Sequence, residues 1–225
     1  MKYNILFIRG FNTNNIETND TYSHIHILLS QTNYITYFNY NPNDDIVETY
    51  KKLCKIIRRN NFTHLIGHSM GGGLLMKYIS DFPKKIPTYK KIILLMPLVY
   101  KVPIIDLIAK IPFIRNLYIP KPIILPASKL YSLGNFLNDD YNLISVSQIT
   151  DMYNHLMLNS DDFIYLLNKY RKNTILFYAK DEVFNTIPEE ILDKIYKKQY
   201  VNGLHECFND LHTCKRFFDK FLGHI

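Results

Sequence analysis

The part of the chain that decides its fold is Gly67-His68-Ser69-Met70-Gly71. It follows the apolar pair Leu65-Ile66 and precedes a helix-like stretch from Leu74 to Ser80, so it predicts a sharp turn between a strand and a helix. In so tight a turn, side chains at the two glycine positions would collide with neighbouring backbone. We expect the turn to lift the Ser69 hydroxyl out of the sheet edge and into a cleft.

Strand and helix patterns alternate on both sides of this turn. We predict strands over residues 5–8, 34–40, 63–67, 91–96, 174–179 and 199–201. We predict helices over residues 21–29, 70–82, 161–172, 188–196 and 208–222, and a further helix from the N-cap Asp44 up to Asn60. Strands separated by helices predict an α/β fold with a mainly parallel sheet of about six strands and with helices on both faces. In such a sheet the ligand cleft lies at the carboxyl ends of the strands, where Gly10, Ser69, Asp181 and the loop around His205 all fall.

Length and charge limit the classes of protein to which the chain can belong. The 225 residues, 47% of them hydrophobic, fit a single domain over residues 1–225. The net charge is +7, but Lys and Arg are dispersed in short pairs such as Lys51-Lys52 and Arg58-Arg59. No basic helix with interleaved aromatic residues stands out, so we expect no nucleic acid partner. The charge leaves transient contact with an anionic membrane surface open, and the sequence leaves the oligomeric state open.

The cysteines and the apolar segments bear on location. The three cysteines, Cys54, Cys207 and Cys214, are odd in number and have no zinc-ligand spacing, which is typical of reduced thiols in a reducing compartment. The apolar run after Met1 is too short for a secretory signal, and no window reaches the length of a membrane span. We therefore predict a cytoplasmic protein.

Residues 97–150 interrupt the alternation of strands and helices. They carry six prolines and several short apolar runs, among them Ile104-Ile105 and Ile123-Ile124-Leu125. We predict that this short apolar insertion forms a lid or cap over the cleft. The alternative is that it simply packs on the core.

Ser69 is the candidate nucleophile, and Gly67 and Gly71 make its turn a candidate nucleophile elbow. A serine hydroxyl is a weak nucleophile near neutral pH, so it needs a base, usually a histidine, and the base needs an orienting carboxylate. Asp181 follows the predicted strand 174–179, and His205 lies between the last predicted strand and the closing helix. We assign His205 as the base and Asp181 as the acid.

Each assignment has a plainer alternative. Asp181 taken alone would be a loop aspartate that caps a turn, and the neighbouring Glu182 is an alternative acid that strand alternation points the other way. A loop histidine such as His205 is more often a surface residue. His212 falls inside the predicted closing helix, and His68 lies within the elbow, where a structural role is favoured.

If Ser69 attacks an acyl carbonyl, the oxyanion of the tetrahedral intermediate also needs hydrogen-bond donors. The Met70 N–H belongs to the first turn of the elbow helix, where backbone N–H groups have no partner within the helix. The second donor is expected from the loop after the first strand, with Phe11 N–H as the candidate and Gly10 allowing close approach. The alternative is an ordinary turn that ends the strand.

Together these residues resemble the α/β-hydrolases of the serine esterase and lipase type. The resemblance is carried by Arg9-Gly10-Phe11, Gly67-His68-Ser69-Met70-Gly71-Gly72, Asp181 and His205, in the order serine, acid, histidine that this fold uses. It implies an α/β-hydrolase fold over essentially the whole chain apart from residues 97–150, which match no cap that we can identify. The chain departs from the family at Arg9, where a histidine is usual, and in starting at what resembles the family's third strand.

The expected activity is cleavage of carboxylic esters through an acyl-enzyme intermediate, with no metal ion or organic cofactor. The apolar insertion favours a small-molecule ester with a hydrophobic acyl group, such as a monoglyceride-like ester. A thioesterase, amidase or acyltransferase with the same triad is not separated from this by the sequence, whereas a serine at position 69 disfavours an aspartate-nucleophile reaction. A catalytically silent binding module of the same fold is a further alternative, favoured by Arg9 alone.

Overall fold

The computed structural model describes residues 2–10, 20–40, 44–99, 118–120, 143–180, 187–202 and 215. The strands are β1 (Asn4–Ile8), β2 (Tyr34–Phe38), β3 (His64–His68), β4 (Lys91–Leu95), β5 (Tyr118–Pro120), β6 (Leu143–Ser145), β7 (Thr174–Ala179) and β8 (Lys198–Val201). The helices are α1 (Asp20–Ser30), α2 (Ile46–Arg59), α3 (Met70–Asp81), α4 (Val146–Leu156), α5 (Ser160–Lys169) and α6 (Glu189–Leu192), with a 3-10 helix over Pro83–Thr88. Among these described helices, none is long and apolar enough to cross a membrane.

Six of the described strands form one sheet in the order β2-β1-β3-β4-β7-β8, and all five neighbouring pairs are parallel. The predicted α/β architecture with a parallel sheet of six strands is thereby confirmed. β5 and β6 pair antiparallel outside this sheet. Because β3 lies between β1 and β4, the residue that follows β3 has a strand end on each side.

Successive residues of the central strands pack into two separate cores. Leu65 of β3 packs in the core that contains Leu53 of α2 and Leu74 of α3. Ile66, the next residue, packs in the core that contains Ile25 of α1. Both faces of the sheet are therefore covered by helices, which explains why the central strands are apolar at nearly every position instead of alternating with polar residues.

The start of α2 corrects one prediction. The N-cap is Asp45 rather than Asp44, because Asp45 Oδ1 accepts hydrogen bonds from the N–H groups of Val47 at 2.7 Å and Glu48 at 3.0 Å. These are the second and third helical residues, whose N–H groups an N-cap side chain is placed to satisfy. Asp44 instead forms an exposed ion pair with Lys52, at 2.9 Å.

The helix predicted over residues 188–196 is also corrected, since α6 spans only Glu189–Leu192. The reason lies in a distant part of the chain. The Asn168 side chain donates to the carbonyl of Lys194 at 2.8 Å and accepts from the N–H of Tyr196 at 3.0 Å. Backbone groups that would continue the helix are bound by another element instead.

Two predictions fall largely on residues outside the described ranges. The insertion 97–150 is described only at residues 97–99, 118–120 and 143–150, so the lid stays a prediction. The last described part of the insertion forms the start of α4. Leu156 of α4 packs in the core with Leu74 of α3. The closing helix over 208–222 lies outside the described residues except at residue 215, which is helical.

Candidate active site

Ser69 joins β3 to α3 at the carboxyl edge of the sheet. Its backbone has a φ of 51° and a ψ of −118°. A positive φ is uncommon in a residue with a Cβ, because the side chain then crowds the backbone, and it persists only where the surroundings hold it. Turns that present a nucleophilic serine between a strand and a helix are strained in this way.

Backbone hydrogen bonds to the end of β4 hold Ser69 in this conformation. The Ser69 N–H donates to the carbonyl of Leu95 at 2.9 Å, and the Ser69 carbonyl accepts from the N–H of Leu98 at 2.8 Å. The same segment contains Met96, which is fully buried and has a φ of 42°. Among the described residues, Ser69 and Met96 are the non-glycine residues with positive φ. Backbone strain is thus concentrated at two neighbouring strand ends, as is common at functional sites.

The two glycines around Ser69 allow α3 to approach β1 and β3 closely. A Cβ added at Gly67 would lie 2.5 Å from the carbonyl oxygen of Gly71. A Cβ added at Gly71 would lie 2.3 Å from the carbonyl oxygen of Ile8 and 2.5 Å from that of Arg9. All three distances are far inside van der Waals contact and involve backbone atoms, so any larger residue would have to push strand and helix apart.

The backbone after β1 lies directly against Ser69. A Cβ added at Gly10 would be 3.1 Å from Ser69 Cβ. The Gly10 N–H donates to Tyr22 Oη at 2.9 Å, and the Gly10 carbonyl accepts from Tyr40 Oη at 2.6 Å. The polar groups of Gly10 are therefore held on both sides by buried tyrosine hydroxyls.

The Arg9 side chain contacts Tyr40. Its guanidinium is fully buried, donates to the Tyr40 carbonyl and lies 4.5 Å from the centre of the Tyr40 ring. A guanidinium over an aromatic face is a favourable contact. Arg9 thus ties the end of β1 to the residue Tyr40 that follows β2.

His68 occupies the position just before Ser69 and is nearly fully buried. Its Nδ1 lies 2.6 Å from Tyr22 Oη, the same hydroxyl that accepts from Gly10. The rings of Tyr22 and His68 meet edge to face at 5.6 Å. His68 therefore links the end of β3 to α1 and to the backbone after β1.

The Met70 N–H lies beside Ser69 at the start of α3. Met70 is the first residue of α3, and its N–H finds no acceptor within the described part of the chain. The first N–H groups of a helix lack partners inside the helix and carry its positive dipole end. An anionic oxygen placed next to Ser69 would meet this donor.

Solved structures similar to this one include lipolytic enzymes and a thioesterase domain. No protein-family model matches the chain, and no curated protein matches it significantly by sequence. A monoglyceride lipase from Saccharomyces cerevisiae, solved with a substrate analog, is 16% identical, covers 98% of this chain and 85% of its own, and superposes with a TM-score of 0.68. The chain has the α/β-hydrolase fold.

Two further structures show the range of activities on this fold. A metagenome-derived lipolytic enzyme of the LipS and LipT pair is 13% identical, with 98% of this chain and 91% of that chain covered and a TM-score of 0.65. A thioesterase domain from the curacin biosynthetic pathway is 13% identical, with 96% and 90% covered and a TM-score of 0.55. At these identities the similarity shows the α/β-hydrolase fold and not a particular reaction.

The α/β-hydrolase fold brings together Ser69, Met70, Gly67 and Gly71, whereas Phe11, Asp181 and His205 lie outside the described residues. The strands that lead to Asp181 and His205 are described. β7 and β8 run parallel, and Lys180 N–H donates to the carbonyl of Val201 at 2.9 Å. The chain therefore leaves both strands at the edge of the sheet where Ser69 lies. Within the described ranges, no three His, Cys, Asp or Glu side chains could together hold a metal ion.

Sequence reasoning missed Tyr22 and Tyr40. They lie 12 and 30 residues from Gly10, in helix α1 and just after strand β2. Neither position carries a motif, and tyrosine is common in this chain, which has 18 of them. Only the tertiary structure shows that their hydroxyls converge on one glycine beside Ser69.

Proposed function

We propose that this chain is a serine hydrolase that cleaves carboxylic esters with a hydrophobic acyl group. The observation that carries the proposal is the backbone of Ser69, whose φ of 51° lies at a strand-to-helix turn at the carboxyl edge of a parallel sheet. Strain at such a position exposes a side chain to the cleft where α/β folds bind their ligands. The lipolytic enzymes among similar structures support the same reaction class.

The proposed reaction begins when Ser69 Oγ attacks the acyl carbonyl. His205 takes the proton of Ser69 and later passes it to the leaving alcohol, and Asp181 holds the imidazole ring and stabilises its protonated form. Water activated by His205 then attacks the acyl-enzyme and releases the acid. No step requires a metal ion or an organic cofactor.

The oxyanion of the tetrahedral intermediate is assigned to the N–H groups of Met70 and Phe11. The Met70 N–H at the start of α3 and the contact of Gly10 with Ser69 support this assignment. Losing one such donor typically lowers the rate by about 100- to 1,000-fold. The cleft beside Ser69 would thereby stabilise the charge that develops during acyl transfer.

A fluorophosphonate probe tests whether Ser69 is activated. The native protein should be labelled, Ser69→Ala should not be, and Ser80→Ala should be labelled like the native protein. Ser80 is an exposed serine on the same helix α3, so it controls for loss of a hydroxyl on that element. A native protein that resists the probe would favour the silent binding module.

The substrate class needs a second measurement. p-Nitrophenyl esters of increasing chain length should be cleaved faster as the acyl chain lengthens, and a preference for acetyl would contradict the hydrophobic acyl group. Acyl thioesters of matched chain length address the alternative represented by the thioesterase domain of the same fold. Preferential cleavage of the thioester would move the assignment to that class.

A further inference from the structure

Tyr22 and Tyr40 are placed to control the direction of one peptide group next to Ser69. Gly10 N–H is bound by Tyr22 Oη at 2.9 Å, and Gly10 C=O is bound by Tyr40 Oη at 2.6 Å. The two hydroxyls thus restrain the peptide units before and after Gly10. The second of these units contains the N–H of Phe11.

Peptide geometry transmits this restraint. A trans peptide unit is planar, and its C=O and the following N–H point in opposite directions. Holding the Gly10 oxygen on Tyr40 Oη therefore sets the direction of the N–H that follows. The Gly10 position also lies close to Ser69, since a Cβ added at Gly10 would be 3.1 Å from Ser69 Cβ.

Both tyrosines are themselves held rigidly. The Tyr22 ring packs edge to face on Phe7 at 5.5 Å, and its hydroxyl is bound to His68, the residue before Ser69. Tyr40 is buried and carries the Arg9 guanidinium on its ring and at its carbonyl. Burial raises the pKa of the Tyr40 hydroxyl despite the opposing effect of Arg9, so this hydroxyl remains a protonated donor at neutral pH. Donors held by packed surroundings stabilise a developing charge without reorganising during the reaction.

We propose that Tyr22 and Tyr40 are positioning residues that hold the peptide groups on both sides of Gly10 in place beside Ser69, where the proposed reaction stabilises its oxyanion. This inference rests on the proposed function of Ser69. Tyr22 couples the donor loop to the turn before Ser69 through His68, and Tyr40 sets the orientation of the donor peptide.

The test compares Tyr40→Phe and Tyr22→Phe with Tyr89→Phe. Tyr89 is a matched control, since it is buried, its hydroxyl is bound to that of Tyr78 at 3.1 Å, and it precedes β4 at the opposite edge of the sheet. Each variant loses one buried hydroxyl, so all three should lower the melting temperature by a similar amount.

Only the two positioning variants should lose catalytic rate. Because the donor is misdirected rather than removed, we expect kcat to fall about tenfold in each, with KM within about twofold of native. The double variant Tyr22→Phe/Tyr40→Phe should lose up to about 100-fold, which does not exceed the loss of about 100- to 1,000-fold that removal of a whole oxyanion donor causes. The rate of labelling by the fluorophosphonate should fall in parallel, since that reaction uses the same donors.

The outcomes separate this inference from the proposed function. If the native protein is labelled at Ser69 but Tyr40→Phe keeps its kcat, the positioning role is wrong and the hydrolase proposal stands. Equal losses of kcat in Tyr89→Phe would likewise overturn it, because a general loss of stability would then explain the effect. If the native protein is not labelled, the hydrolase proposal and the positioning role are both wrong. Should Tyr22→Phe fail to fold, Tyr40→Phe alone decides.

Discussion

Replacing Gly71 by alanine tests whether the close approach of α3 to β1 builds the site. The added Cβ would lie 2.3 Å from the Ile8 oxygen, whereas ordinary contacts begin near 3.4 Å. Helix and strand must therefore separate by about 1 Å, and overpacking of this kind costs about 1–3 kcal/mol. Alanine is also the better helix former by about 1 kcal/mol. Because the clashing carbonyl oxygens of Ile8 and Arg9 belong to the backbone and cannot rotate away, we expect the cost at the upper end of that range, about 3 kcal/mol, and a net loss of about 2 kcal/mol.

The same displacement should impair catalysis. Gly71 lies in the first turn after Ser69, and the atoms it would push belong to the segment that leads to Gly10. A shift of about 1 Å at a reacting centre can lower the rate by about 100-fold. We therefore expect kcat for a p-nitrophenyl ester to fall by about that factor in the folded fraction of Gly71→Ala.

Urea unfolding and steady-state kinetics check both effects, with Gly10→Ala as the comparison for stability. A Cβ at Gly10 would meet the side chains of Ser69, Tyr22 and His68 at 3.1 Å, so those groups need to yield only slightly. We expect Gly10→Ala to lose clearly less stability than Gly71→Ala. If Gly71→Ala is as stable as the native protein or more so, as helix propensity alone predicts, and retains full activity, then the close approach is not what maintains the site.

Three further predictions concern pH and helix α2. Burial, assisted by two neighbouring lysines, lowers the pKa of His64 to about 4. The unfolded chain binds this proton near pH 6.5, so folding should lose up to about 3 kcal/mol as the pH falls from about 6.5 through about 4. His64→Phe should flatten that part of a urea-unfolding pH profile, and an unchanged profile would contradict the assignment. Asp45→Ala should lower the free energy of unfolding by about 1 kcal/mol, while Asp44→Ala leaves it nearly unchanged; the reverse order in urea unfolding would restore Asp44 as the N-cap. Turnover should decline below about pH 6–7 because His205 must be neutral to accept the proton, and a rate that stays flat down to about pH 5 would argue against that role.

The central strands could be predicted because their environment is uniform. A parallel strand covered on both faces needs apolar residues at every position, and such runs are visible without any partner. β7 has the predicted bounds, Thr174–Ala179, and each of its residues is buried. Helix ends were harder to predict, since they depend on distant groups. α6 ends at Leu192, and the Asn168 side chain binds the backbone of the residues that follow it. No local sequence pattern predicts that contact.

The candidate site likewise has a part that the sequence predicts and a part that only the tertiary structure shows. The strained turn at Ser69 is encoded within five consecutive residues, because glycines on both sides are the local condition for so close a packing of strand and helix. The convergence of Tyr22, Tyr40 and Arg9 on the backbone beside it arises from segments up to 31 residues apart.

What the amino-acid sequence determined by itself is therefore the succession of buried strands and the sharp turn that carries Ser69, since apolar periodicity and glycine sterics act over a few residues. What only the tertiary structure decided is which side chains hold the backbone around that serine. Hydrogen bonds and ring contacts depend on distances in space, and those distances exist only once the helices have packed on both faces of the sheet.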